Sequence, residues 1–423
     1  MGLFFLHNYS LFDASQALFS LFFSLLEEPW IMKTMAFVLL IGSLMEILQK
    51  SGSVESFVAY MQKKRAIVHS QKSALLLSYG IGVVIFIEST ITSLVAGAVG
   101  RPFCKEYNIP PAKLAFVCDS TSAPISSLLV FNGWGALLLG LINAQIDAGV
   151  IYQDGVSLLM ESVGYNFYAM VTLLITLGAI VFNIDLGAMK SASRPLTCKQ
   201  TQQKEDAQLW MMLFPIIFMV GGVFFFLYLS GDGDIFQGSG STSIFYSVSS
   251  TLVVMLFLYI PTKQIDFFSY AKAFIQGMQK MFFMALILLF AFAIGKVTNE
   301  MQTGLYLASF ANHFLSPWTL GALIFLLASI ISFSTGTSWG TFSIMIPIAV
   351  PMAVSLDANV ALAIGAVISG GVFGDHCSPI SDTTIISSLA ADCEVVEHVN
   401  TQLPYALISA GIALIGFIVF ALF

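Results

Sequence analysis

The chain has 423 residues, of which 57% are apolar and only 10% charged, with a formal net charge of -7 and a mean hydropathy of +0.87. Soluble domains carry about a quarter charged residues, so this composition is that of a polytopic membrane protein. The acidic balance offers no broad basic surface to nucleic acid, and five scattered cysteines (104, 118, 198, 377 and 393) without a CxxC pair argue against a disulfide framework or a structural metal.

A hydrocarbon core of about 30 Å takes about 20 helical residues, and the apolar runs here are continuous rather than alternating, which predicts helices and not a barrel. The opening stretch, "MGLFFLHNYSLFDASQALFSLFF", has no basic n-region or evident cleavage site, so it reads as a retained first helix over 3 to 26. Further spans follow at 30 to 49, 73 to 100, 112 to 141, 165 to 183, 209 to 230, 242 to 260, 281 to 297, 319 to 351, 358 to 390 and 402 to 422.

The segments between spans differ in sign. Residues 50 to 72, 101 to 113 and 184 to 208 are rich in Lys and Arg and belong in the cytoplasm, whereas 142 to 164 has Asp147, Asp154 and Glu161 and no basic residue. Two basic segments therefore flank the single run 73 to 100. A re-entrant hairpin turning at "FIESTITS" (86 to 93) resolves the conflict, because 28 residues suit two half-helices at about 1.5 Å per residue. A second hairpin, turning at "FSTGTSWGT" (333 to 341), enters from the other face, and 15 of the 17 basic residues then lie inside. Lys33 and Lys296 are the exceptions.

The predicted fold is an all-α polytopic membrane protein of two inverted repeats, each with a re-entrant helical hairpin and a broken transmembrane helix. The first repeat covers 1 to 183 and the second 242 to 423, joined by a cytoplasmic linker (184 to 208) and a connecting helix (209 to 230). Such repeats, with broken helices meeting near the midplane, are the architecture of secondary transporters. A channel fits less well, since paired inward and outward hairpins serve alternating access.

The breaks carry the chemistry. Proline inside a helix removes a hydrogen bond and costs roughly 3 kcal/mol, so Pro124 in "DSTSAPISS" (119 to 127) and Pro379 in "DHCSPISDTT" (375 to 384) mark helices that open. Open turns in lipid leave backbone groups needing partners, and a carboxylate there faces a cavity or pathway. Asp119, Asp375 and Asp382, with hydroxyls from Ser120, Thr121, Ser126, Ser378, Ser381, Thr383 and Thr384, compose an oxygen-rich site for a hard cation. The alternative is that these carboxylates only satisfy amides at the breaks. His376 either takes a proton or hydrogen-bonds within its break, Glu88 at the first hairpin tip joins the cation and proton set unless 73 to 100 is two crossings with a solvated loop, and Glu46 either snorkels from the cytoplasmic end of its span or takes part in function.

Several stretches resemble the NhaC-type Na+/H+ antiporter family of the wider ion-transporter superfamily: "FGDHCSPISDTTIISS" (373 to 388), "STGTSWGTFSIMIPIAVPMA" (334 to 353), "HVNTQLPYAL" (398 to 407), "STITSLVAGAVGRP" (89 to 102) and "KLAFVCDSTSAPISS" (113 to 127). The resemblance implies exchange of sodium for protons with no cofactor, and for some members exchange or symport of an organic acid or amino acid. It also implies that hairpin tips join the site, which adds Ser89, Thr90, Thr335, Thr337 and Ser338 as supporting oxygens. The expected setting is a bacterial-type cytoplasmic membrane with the N-terminus inside. Lipid and small cations are the expected partners, with an organic solute and a homodimer left open. In the expected mechanism sodium and protons compete for the same carboxylates. "GTSWG" (336 to 340) matches the G-x-S-x-G nucleophile elbow, but that motif needs a strand-to-helix turn, and here it lies in a charge-free run from 301 to 356, so no hydrolase is expected.

Overall fold

A computed structural model describes residues 6, 10–54, 56–57, 60, 68–86, 88–129, 131–192, 210–233, 238–301 and 316–422. Among them the regular structure is helical, with no strand. Eight helices are long and apolar enough to cross a membrane, or up to ten if each of two bent pairs counts as one span, by length and composition. The expectations for residues 1 to 5, for Lys63, Lys64 and Arg65, and for most of the linker, 193 to 208, lie outside the described residues.

The first half runs through α1 (Leu11–Glu27), α2 (Pro29–Lys50), a helical pair α3 (Gln71–Val84) and α4 (Ser89–Glu106), then α5 (Pro111–Ser120), α6 (Ala123–Leu128), α7 (Gly133–Asp147), α8 (Gly155–Gly164) and α9 (Phe167–Val181). After α10 (Trp210–Ser230), the second half has α11 (Gly240–Tyr259), α12 (Phe267–Glu300), a pair α13 (Pro317–Thr335) and α14 (Ser338–Ser355), then α15 (Val360–Cys377), α16 (Asp382–Ala391) and α17 (Val395–Phe420). Helix starts follow local chemistry. Asn132 caps α7 by accepting from the amides of Trp134 (2.9 Å) and Gly135 (3.2 Å), and Asn359 caps α15 by accepting from Leu362 (2.8 Å).

Both helical turns and both breaks fall where the sequence places them. The chain turns between Val84 and Ser89, which end α3 and begin α4, and between α13 and α14 at Gly336, whose φ of 66° is a left-handed conformation suited to glycine. The helix carrying Asp119 opens at Thr121–Ser122, with Pro124 in the first turn of α6, and the helix carrying Asp375 opens at 378–381, which contains Pro379. Each pair's second arm packs on the far segment of the other half's broken helix: α4 on α16, and α14 on α7. Close helix approach uses small residues, as membrane packing requires. Gly370 and Gly374 of α15 abut the backbone of Phe325 and Ser329 in α13, leaving no room for a Cβ.

Five helices differ from expectation. The arms of the second pair have 19 and 18 residues, each about 28 Å long, so by length each suffices for a full crossing rather than a half-helix. Helix α12 begins at Phe267 rather than near 281, because Lys272 and Lys280 are good helix formers and do not end it. Helix α17 starts at Val395, ahead of the expected 402. The acidic segment 142 to 164 contains α8, which Asp154 caps by accepting from the Ser157 amide (2.8 Å), and which bends 42° from α9.

Candidate functional site

Two polar clusters sit at the two breaks, and they divide the predicted site residues between them. The first is a cavity of about 180 Å³ lined by Glu88, Ser89 and Thr90 from the first turn, Thr337, Ser338 and Trp339 from the second, and Asp375 and Asp382 flanking the second break. Its remaining walls are Gly133 and Trp134 of α7, Ile41 of α2, and Lys280 and Met281 of α12.

Backbone geometry aims these groups. Glu88 precedes α4 and accepts from the Ile91 amide (2.8 Å), while Ser89 Oγ lies 3.4 Å from Glu88 Oε1. Asn132 Nδ2 donates to the carbonyls of Phe86 (2.9 Å) and Ser126 (2.8 Å), and Ser126 Oγ donates to Phe86 (3.3 Å), which ties the first turn to the first break. Asp375 is buried, and its Oδ2 accepts from the Ser338 amide (3.2 Å) and hydroxyl (2.6 Å), so the second turn is fastened to the second break. Its Oδ1 has no hydrogen-bond partner among the described residues. Asp382 opens α16, accepts from the Thr383 amide (2.8 Å) and is exposed. The cavity therefore has a buried carboxylate at its floor and an exposed one at its rim.

The second cluster surrounds Asp119, which is fully buried. Its Oδ2 accepts from Gln402 Nε2 (2.9 Å) and Thr384 Oγ1 (3.3 Å), and His398 Nε2 lies 3.2 Å away. His376 Nε2 is 3.8 Å from the same oxygen and 3.3 Å from Ser120 Oγ, and His376 Nδ1 meets the Tyr168 hydroxyl at 2.7 Å. Gln402 also donates to the His376 carbonyl, one of the groups freed at the second break. This network joins α5, α9, α15, α16 and α17 across sequence separations above 200 residues.

Of the expected trio, Asp375 and Asp382 line the cavity and Asp119 lies in the buried network. Asp119 does not line the cavity, and among the described residues no group of three or more His, Cys, Asp or Glu is spaced to hold a metal ion. His376 likewise turns into the Asp119 network. Thr335 is exposed and donates to Ile331 of its own helix (2.8 Å), so it supports no shared site. Thr121 bonds Val117 (2.8 Å), Ser378 bonds Phe333 (2.8 Å), and Ser381 and Thr383 bond each other (3.0 Å), which makes them fasteners of the breaks. Glu46 does not snorkel. It is buried and takes a hydrogen bond from Lys280. Asn132, His398, Gln402, Tyr168 and Lys280 were missed as site residues; His398 and Gln402 do stand in the quoted "HVNTQLPYAL", where a His and a Gln one turn apart were the available signal.

Residues 132–422 match the Na+/H+ antiporter family. The chain belongs to this family. An uncharacterized protein of Haemophilus influenzae is 33% identical over 411 residues, covering 92% of this chain and 78% of that protein. A malate-2H+/Na+-lactate antiporter of Bacillus subtilis is 34% identical over 90 residues, 21% of this chain and 19% of that one. Among solved structures, the Alcanivorax borkumensis YdaH transporter superposes with a TM-score of 0.61 at 15% identity, covering 95% of this chain and 86% of that one, a likeness of fold. The protein is thus a multi-span secondary transporter of the Na+/H+ antiporter family and not an enzyme.

Proposed function

We propose that the protein exchanges Na+ for H+ across a bacterial-type cytoplasmic membrane by alternating access, with the cation held by Glu88, Asp375 and Asp382. The observation carrying this reading is their convergence on one cavity from two helix turns and a helix break, with hydroxyls of Ser89, Thr90, Thr337 and Ser338 in its walls. Carboxylate, hydroxyl and carbonyl oxygens suit a hard cation. Pockets for organic ligands run to about 300–1,000 Å³, so a cavity of about 180 Å³ favours an ion with few waters.

Each carboxylate holds either a proton or sodium. Desolvation favours the neutral form of a buried acid, and a bound cation favours the ionised form, so the two ions exclude each other at one site. Net exchange follows if the cavity changes sides only when occupied. The reciprocal packing of α4 on α16 and α14 on α7 supports two inverted repeats, whose relative movement would expose the site to either face. In this reading the N-terminus and the linker are cytoplasmic, and Asp119 with its histidines positions the breaks rather than coordinating sodium.

A second reading is a Na+- or H+-coupled carrier of an organic acid or amino acid. Two relatives matched over short stretches favour it by name: the malate-lactate antiporter, and an arginine/ornithine antiporter, ArcD, of Halobacterium salinarum, 33% identical over 101 residues, 24% of this chain and 21% of that one. Everted vesicles reporting luminal pH decide between them. Sodium alone should evoke proton movement, and Asp375→Asn should abolish it; a signal that appears only when a small carboxylate or amino acid is added replaces the first reading with the second.

A further inference from the structure

One cavity residue has no part in the exchange just described. Lys280 is the single basic side chain among the described lining residues, it stands at the rim with 62% of its side chain exposed, and its Nζ donates to Glu46. Glu46 is buried where Lys280 is exposed. Helices α2 and α12 cross at Gly42 and Gly277, each of which would drive a Cβ into the other's backbone, and Ser43 Oγ clamps the crossing on the Phe274 carbonyl (2.7 Å). Glu46 and Lys280 lie four and three residues beyond those glycines, hence on the same helix faces. The Glu46 side chain is only 7% exposed, and Lys50 Nζ stands 4.0 Å away as a second partner.

That second partner matters. Stranding a buried carboxylate is strongly unfavourable, but Glu46 keeps a counter-charge if Lys280 leaves it. Asp382, exposed, and Glu88, half-buried, line the same cavity of about 180 Å³ as Lys280, whose charge is carried on a flexible four-carbon stem. Facing acidic groups without a counter-ion are costly in this setting.

We propose that Lys280 is a movable internal cation, which rests on Glu46 when sodium fills the cavity and crosses to the Asp382 and Glu88 side when sodium leaves. Glu46 is then a positioning residue that holds the competitor away, and the pair sets sodium affinity. This inference rests on the sodium reading of the same cavity.

The two members of the pair should shift sodium binding in opposite directions, which a merely structural ion pair would not do. The readout is sodium-dependent thermal stabilisation of the purified full-length protein at ionic strength held constant with choline. Lys280→Gln should tighten the sodium midpoint by roughly three- to fivefold, the range of a partly exposed charge pair. Glu46→Gln, which frees the ammonium, should weaken it by a similar factor, and the double variant should follow Lys280→Gln alone. Shifts in the same direction, or effects that multiply in the double variant, overturn the proposal. Should Glu46→Gln not fold, an unchanged or weaker midpoint in Lys280→Gln overturns it alone. Absence of sodium stabilisation in the unaltered protein, or an unchanged midpoint in Asp375→Asn, defeats the sodium reading instead.

Discussion

The two broken helices carry the same local recipe, an aspartate followed by hydroxyls and a proline, yet they end in different surroundings. Asp119 is sealed among Gln402, Thr384, His398 and His376, while Asp375 keeps one oxygen without a hydrogen bond among the described residues and borders a cavity shared with Glu88 and Asp382. Asp119 also has one unbonded oxygen, so the contrast is not in satisfaction but in what lies beyond it. A helix break supplies oxygen atoms. Whether they serve an ion or fasten the fold depends on the elements packed against them.

Substitutions can break that contrast, beginning with the most severe. Asp375→Asn should eliminate sodium-evoked proton movement in everted vesicles, since it removes the buried charge at the cavity floor; retained exchange would remove Asp375 from the mechanism. His398→Ala withdraws one partner from a buried carboxylate that keeps Gln402 and Thr384, and should cost about 1.5–3 kcal/mol of stability, read as a lowered thermal midpoint in sodium-free buffer. An unaltered midpoint would mean that the Asp119 network does not hold the breaks together. Ser338→Ala deletes a hydroxyl bonded to Asp375 and should weaken sodium binding by about 1.5–3 kcal/mol, measured as the shift in the sodium midpoint. Thr335→Ala, three residues away, should change stability and sodium midpoint by less than about 0.5 kcal/mol, because that hydroxyl bonds only its own helix. Equal effects at 335 and 338 would erase the distinction between a turn residue that faces the cavity and one that does not.

Local signals made much of this legible in the sequence. Length and hydropathy marked the spans, charge pattern and Gly336 marked the turns, Pro124 and Pro379 marked the breaks, and the two turns bring Ser89, Thr90, Thr337 and Ser338 to one cavity. What stayed hidden depends on partners distant in the chain. His398 and Gln402 sit inside an unbroken helix, with nothing local to show that they close on Asp119 some 279 and 283 residues earlier. Lys113 looks like one charge of a basic loop, but it is buried and bound to Asp185 (2.7 Å) and Asn183 (3.1 Å). Lys280 hid a distant partner in the same way: it stands in a helix that runs on from Phe267 and crosses Gly42 at Gly277, and its partner Glu46 lies 234 residues earlier. Grouping Asp119 with Asp375 followed from their shared motif, and the motif does not encode which side of the interleaved packing each one faces.

Equilibrium binding of radioactive sodium to purified Asp375→Asn and Asp119→Asn proteins, each first checked for a folded state, tests the division of labour most directly. Saturable binding should vanish in the first and persist in the second. Loss in Asp119→Asn with retention in Asp375→Asn would place the ion in the buried network and leave the cavity without its assigned role.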